Sequence, residues 1–263
     1  MPVLPLSSAA PEVAPSVDAP AAASLDQASE PAVAWQDDCL VVVAKPTGWI
    51  VHRGWARDAT TVADWLRARL DAPVHALHRL DRGTSGALVF ARDAETARRV
   101  RTQFEAGTVD KRYLALVRGH PPDVGEIDHP VPRKRGRDER VPAVTRYRRL
   151  ATCALDGFDA RARYALVEAM PVTGRLHQIR RHFKHISHPL IGDVRYGKGE
   201  HNRRLRGHVG LHRLALHAQA IAFDHPTTGA RTRVDVPVPD DLAEPLRRLD
   251  LWPVAVDPEA TTP

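Results

Sequence analysis

Residues 78–86 read His78-Arg79-Leu80-Asp81-Arg82-Gly83-Thr84-Ser85-Gly86 and run straight into the apolar stretch Ala87-Leu88-Val89-Phe90-Ala91. A polar, glycine-containing turn ahead of a buried strand is where functional side chains concentrate, because the strand fixes the loop while the loop stays accessible. Asp81 stands between two arginines that favour its charged form. Gly83 and Gly86, with the Thr84 and Ser85 hydroxyls, can build a tight turn that sets its direction. The residues alone leave two readings open: a structural ion pair or cap, which is the commoner use of such an aspartate, and a carboxylate presented for chemistry.

Upstream, Cys39 to Ala44 reads as a buried strand, closed by the turn Lys45-Pro46-Thr47-Gly48. Thr60 or Thr61 then caps an amphipathic helix running to about Leu70. Downstream, Gly86 to Ala91 is a strand and Ala94 to Ala106 a helix stopped by Gly107. Strands are expected at Arg112–Val117, Val144–Leu150 and Tyr164–Met170, a helix at about Leu176–His185, and further strands at Leu211–Phe223 and Thr232–Val236. There is no repeat and no regular βαβ alternation, so the expectation is an α+β (mixed α/β) chain with antiparallel hairpins. One domain at 33–252 would follow a disordered Ala/Pro/Ser-rich tail at 1–32, with a flexible tail at 253–263.

With 263 residues, 43% hydrophobic and 27% charged, the chain can bury a sizeable core. Its longest apolar runs fall far short of the roughly 20 residues a membrane helix needs. Cys39 and Cys153 are too few for a disulfide framework, which points to a reducing compartment and a cytoplasmic protein. The net charge of +6 is unevenly placed: residues 1–44 hold six acids and no Lys or Arg, so residues 45–263 carry all 38 bases against 26 acids, or +12. That sign suits a polyanion such as nucleic acid. Five lysines against 33 arginines reflect no more than genome composition.

A second cluster, Thr173-Gly174-Arg175-Leu176-His177-Gln178-Ile179-Arg180-Arg181-His182, opens the expected third helix. It puts residues 177, 180, 181 and 184 on one basic stripe, suited to phosphate or a carboxylate, or simply a solvated face. His182, His185 and His188 recur every third residue, but Pro189 places His188 past the helix end and nothing completes a four-ligand set, so no metal is expected. Phosphate-loop, dinucleotide and nucleophile-elbow motifs do not occur in the sequence.

Taken together, these segments resemble the RluA-type pseudouridine synthases. The family's HRLDxxTSG signature stands without departure at His78–Gly86. In the family's order come Lys45–His52 for KPxGxxVH, Lys111–Val117 for KxYxAxV, Thr173–Arg180 for TGRxHQIR, then His185–Asp193 and Leu214–Ala218. Within the family the likeness is greatest to members acting on uridine 65 in the T stem of tRNA, on the strength of Val51–Trp55, Pro142–Thr152 and His201–Arg203. The resemblance implies a pseudouridine synthase fold with a central mixed, largely antiparallel sheet flanked by helices, and cofactor-free isomerisation of uridine to pseudouridine. It implies that Asp81 acts at the anomeric carbon, as nucleophile or base, paired with Arg180. Tyr113 would be an aromatic platform for the uracil that also helps the final C5 deprotonation. His78, Arg79, Thr84, Arg175, His177 and Gln178 would bind substrate, Arg79 filling the space a flipped nucleotide leaves. From the charge alone, Arg133, Lys134, Arg135 and Arg137 would either meet backbone phosphate or form a solvated basic loop. The expected partner is tRNA, with ribosomal RNA as the alternative target, although the tail at 1–32 does not suit the extra RNA-binding domain that ribosomal enzymes often carry. A non-catalytic RNA-binding module would fit the same basic surface. No metal and no membrane are expected, and a monomer is the default.

Overall fold

The computed structural model describes residues 30–53, 60–133, 139–155 and 162–252. The tails expected at 1–32 and 253–263 lie outside these, apart from residues 30–32, as do Gly54, Trp55, Lys134, Arg135 and Arg137.

The first third of the chain gives β1 (Ala32–Gln36), β2 (Leu40–Lys45), α1 (Val62–Leu70), β3 (His75–Ala76), β4 (Ser85–Ala91) and α2 (Ala94–Ala106). The middle gives β5 (Asp110–Arg118), β6 (Val124–Asp128), β7 (Val131–Pro132), β8 (Arg140–Val141), β9 (Val144–Ala154) and β10 (Arg163–Pro171). The remainder gives α3 (Gln178–His185), α4 (Gly199–Val209), β11 (Leu216–Asp224), β12 (Arg231–Asp235) and α5 (Asp240–Arg248). The large sheet runs β1-β2-β4-β11-β5-β10-β9-β6, with β3 on β4 and β12 on β11; β7 and β8 form a separate ribbon. Among the described strand pairings β4 with β11 is parallel and the rest are antiparallel, which makes the sheet mixed and largely antiparallel.

That parallel seam joins the two halves of the sheet, at His217 opposite Ser85 and Ala218 opposite Gly86. Gly86 has φ +114°, and a Cβ there would stand 2.1 Å from the Ala218 carbonyl oxygen. Only glycine allows β4 to approach β11 so closely. The loop carrying Asp81 therefore empties into the middle of the sheet rather than its edge.

Apolar alternation covers both faces. Val41, Val43, Leu88 and Phe90 pack under α1, and Val42, Ala87 and Val89 pack against Ala97 and Val100 of α2. Further along, Val117, Val167 and Phe183 form a cluster beneath α3, while Leu116 and Leu166 meet Leu205 of α4 and Leu242 and Leu246 of α5. Thr61 caps α1 by accepting from the Asp64 N–H, Asp93 caps α2 through the Thr96 N–H, and Gly107 ends α2 at φ 74°. Among the described residues no helix is long and apolar enough to cross a membrane.

Three local expectations need correction. The third helix begins at Gln178, not Leu176, because His177 sits in the left-handed region at φ 53°. The strand expected from Leu211 begins at Leu216: Gly210 closes α4, the Leu211 N–H caps the Leu205 carbonyl, and the Ala215 N–H goes to Ile191 instead of a neighbouring strand. Helices α4 and α5 were not expected, since α4 buries only His201, Leu205 and Val209 and α5 carries Pro245 in its interior.

Candidate active site

The Asp81 loop is held by the turn that follows β2. The Gly48 N–H donates to Arg82 O at 2.8 Å, Arg82 Nε returns to Gly48 O at 2.9 Å, and Thr47 Oγ1 donates to Gly83 O at 3.2 Å. Beneath them lies Lys45, 1% exposed, with Nζ donating to the carbonyls of Thr84 (2.7 Å), Pro46 (2.9 Å) and Arg82 (3.3 Å). Burial, aided by the charge of Arg213, brings this ammonium down to about 7. A side chain read from sequence only as part of a turn thus ties two backbone carbonyls of the Asp81 loop to the Pro46 carbonyl of its own turn. The Thr84 N–H closes that loop onto Asp81 O at 3.0 Å.

Where β4 starts, a directed chain continues the support. Arg213 Nη2 donates to Ser85 Oγ (2.6 Å), which lies 2.8 Å from His217 Nδ1, and His217 Nε2 lies 3.0 Å from Val236 O. A neutral His217 protonated on Nε2 satisfies every member. Burial keeps it neutral, at about 4.

From the far side of the cleft comes Arg180 in the first turn of α3. Its Nε and Nη2 grip Asp193 at 2.7 and 2.9 Å, and Nη1 donates to Asp81 Oδ2 at 2.8 Å. Asp193 has a fully buried side chain and also accepts the Arg195 and Tyr196 N–H groups. Burial would raise its pKa, but the hydrogen bonds from Arg180 and these N–H groups outweigh that and hold it below the usual carboxylate range. One guanidinium therefore spans a buried structural carboxylate and a reachable one, whose side chain is 18% exposed. Arg180 is turned inward, while Lys184 on the same stripe is exposed. The sequence neighbours Arg79 and Arg82 do not serve as ion-pair partners of Asp81: Arg82 is spent on Gly48, and Arg79 is exposed at the cleft mouth.

The remaining expected residues divide. Tyr113 on β5 lies half-buried in the cleft wall, and burial together with the Asp81 charge pushes its phenol well above the ordinary value. A phenol kept protonated suits stacking or hydrogen-bond donation. His177 Nε2 is 3.6 Å from Asp81 Oδ1 and its Nδ1 is 3.1 Å from the Tyr196 hydroxyl. Arg175 is exposed on the rim, with Nε on Pro142 O. Gln178 is committed internally: Oε1 accepts from Thr173 Oγ1 and the Arg175 N–H, and Nε2 donates to Val144 O and lies 2.9 Å from Thr145 Oγ1. His78 accepts the Val89 N–H on Nε2 and stacks on Phe104. Thr84 Oγ1 is buried beside the cleft and has no hydrogen-bond partner. Together these residues line an open cleft of about 1100 Å³ that reaches from Asp81 to Arg133.

The helical histidines scatter. His182 bonds Thr145 and the His129 carbonyl, His185 stacks on His129, and His188 reaches Arg118 O. Among the described residues Asp37, Cys39 and His225 do converge elsewhere. The Thr227 and Thr228 N–H groups point at His225 Nδ1, which puts the ring proton on Nε2, toward Asp37 at 2.6 Å, where a metal would need a lone pair.

Residues 39–185 match the model of the family described as RNA pseudouridylate synthase. The chain belongs to that family. The synthase is 43% identical over 209 residues to tRNA pseudouridine synthase C of Haemophilus ducreyi, covering 74% of this chain and 86% of the relative. It is 42% identical over 211 residues to the protein of the same name from Salmonella typhimurium, covering 75% and 81%. Among solved structures, human RNA pseudouridylate synthase domain containing 4 superposes with a TM-score of 0.65 at 28% identity, over 83% of this chain and 92% of that one. The synthase is thus an isomerase that converts uridine to pseudouridine in RNA.

Asp193, Tyr196 and Lys45 are the residues of this site that sequence reasoning left without a role. Asp193 stood inside a quoted motif, but burial was not readable there, nor was the stacking of Arg180, Arg181 and Arg195 around the Tyr196 ring at 5.1, 5.6 and 5.4 Å.

Proposed function

We propose that the synthase acts on tRNA, at uridine 65 of the T stem, with Asp81 as the group that works on the sugar. The observation carrying this is a reachable Asp81 carboxylate on Arg180 in the floor of a cleft walled by Tyr113. The substrate assignment is supported by the relatives, which bear the name tRNA pseudouridine synthase C.

In one form of the reaction an Asp81 oxygen bonds to C1′ as the C1′–N1 bond breaks and N1 keeps the electron pair. The uracil turns, C5 bonds to C1′ and the aspartyl oxygen leaves. Loss of the C5 proton and protonation of N1 complete pseudouridine. In the other form Asp81 removes the C2′ proton as the C1′–N1 bond breaks and N1 keeps the electron pair. C5 then adds to C1′ of the resulting glycal while the proton returns to C2′, and the same loss of the C5 proton and protonation of N1 follow. Both build positive charge at the sugar that a neighbouring carboxylate stabilises. Atoms and electrons balance without an oxidant, reductant or metal.

A stem uridine is stacked and paired, so it must leave the duplex before C1′ becomes accessible. Exposed Arg79 at the mouth is suited to the vacated space. Arg133, Arg175 and His177 line the path along which the strand would run. A tRNA substrate supports a cytoplasmic location.

Carbodiimide mapping of unmodified tRNA and ribosomal RNA after incubation with the protein tests the assignment. New pseudouridine at the T-stem uridine is the expected result; product confined to ribosomal RNA would overturn the tRNA assignment.

A further inference from the structure

Lys111 stands two residues before Tyr113 on β5, so strand alternation puts both on one face, about 7 Å apart along the strand. Both line the cleft. The Lys111 ammonium has neither a hydrogen bond nor an ion pair within reach among the described residues, although burial holds its pKa below the usual lysine value. The Asp110 charge opposes this lowering without outweighing the burial. Asp110 is engaged by Arg231, and Glu105 is exposed at the rim. His78, also beside the cleft, is neutral, pushed down to about 3 by burial and then by the Lys111 charge itself. A largely desolvated cation with no direct ion-pair partner is costly, and such groups are retained where a ligand supplies the opposite charge.

We propose that Lys111 binds a phosphate flanking the flipped uridine, clamping the sugar between that contact and Asp81 while the uracil lies on Tyr113. This rests on the reading of the cleft as the seat of a flipped nucleotide. A phosphate is the formal anion that an RNA substrate brings, and it compensates a desolvated ammonium better than a neutral uracil carbonyl. One cation–phosphate contact in this strand would both add affinity and fix the register of C1′ over the carboxylate.

The test uses a T-stem-loop RNA and three proteins: wild type, Lys111→Met and Lys111→Arg, with thermal melting as the check on folding. Lys111→Met is expected to weaken RNA binding about tenfold or more, to lower the slope of log K against log salt by about one, and to form pseudouridine still at saturating RNA. Lys111→Arg is expected to restore most of the affinity. A neutral methylphosphonate at one of the two linkages flanking the target uridine is expected to weaken wild type by a similar factor and leave Lys111→Met indifferent. If wild type tolerates neutral linkages at both positions, the proposal is wrong, and this result needs no variant to fold. The proposal also fails if Lys111→Met lowers kcat with KM and salt slope unchanged, which would place the ammonium on the base. If wild type forms no pseudouridine in this RNA, the tRNA reading fails instead.

Discussion

Replacing Arg180 by Met separates the two jobs of one guanidinium. Its side chain is 10% exposed and that of Asp193 0%, so the pair is poorly screened. With charge centres about 4 Å apart and an effective dielectric near 20, each carboxylate contact is worth about 4 kcal/mol. Removing the cation alone leaves Asp193 buried and uncompensated, and the expected loss of folding stability is about 3–5 kcal/mol. Asp193→Asn keeps an acceptor for the Arg195 and Tyr196 N–H groups and is expected to cost about 1–3 kcal/mol. The double variant should cost less than the sum of the two by about 1–2 kcal/mol, because no buried charge is then left unpaired. Activity should behave differently. Asp81 loses its Nη1 contact in both proteins lacking Arg180, so turnover stays low in the double variant even as stability recovers. Urea unfolding followed by circular dichroism gives the energies, and tritium release from RNA labelled at uridine C5 gives the turnover. Additive costs within about 0.5 kcal/mol, or a double variant with restored turnover, would refute this division of labour.

Gly86→Ala drives a Cβ to 2.1 Å from the Ala218 carbonyl oxygen at φ +114°. The parallel seam must open, and a stability loss of about 1–3 kcal/mol or more with displaced Asp81 chemistry is expected in melting and turnover assays. His217 gives a pH signature: its folded pKa of about 4 lies below the ordinary 6.5, so the unfolded chain binds more protons in that window. Stability is complete above about 6.5 and falls as pH drops toward 4, by up to about 3 kcal/mol from this group. Melting temperatures between pH 7.5 and 4.5 follow it, and His217→Gln should flatten the dependence while lowering the starting stability.

Much of this architecture was legible locally. Thr61 and Gly107 mark helix ends by chemistry that acts within three or four residues, and the apolar runs of β2 and β4 declare buried strands. The motif around Asp81 likewise announced the site, and Arg180 was matched to it across 99 residues by family likeness. Contacts decided by three-dimensional neighbours were hidden. Nothing around Lys45 says that its ammonium points inward at three carbonyls, and Asp193 reads as an ordinary turn aspartate until Arg180 folds onto it. At Gln178 the motif position suggested substrate contact, while the bracing of the amide against Thr173, Arg175 and Val144 was not readable from sequence. Helix α4, polar on most of its surface, escaped because only His201, Leu205 and Val209 carry its packing.

The central claim is that the Asp81 carboxylate performs the chemistry while the surrounding surface binds RNA. Asp81→Asn preserves shape and an acceptor for Arg180 but removes the nucleophilic or basic oxygen pair. Its most direct measurement is C5 tritium release from labelled tRNA, alongside RNA affinity of the same preparation. The account predicts no release above background with affinity close to wild type; release at an undiminished rate would contradict it.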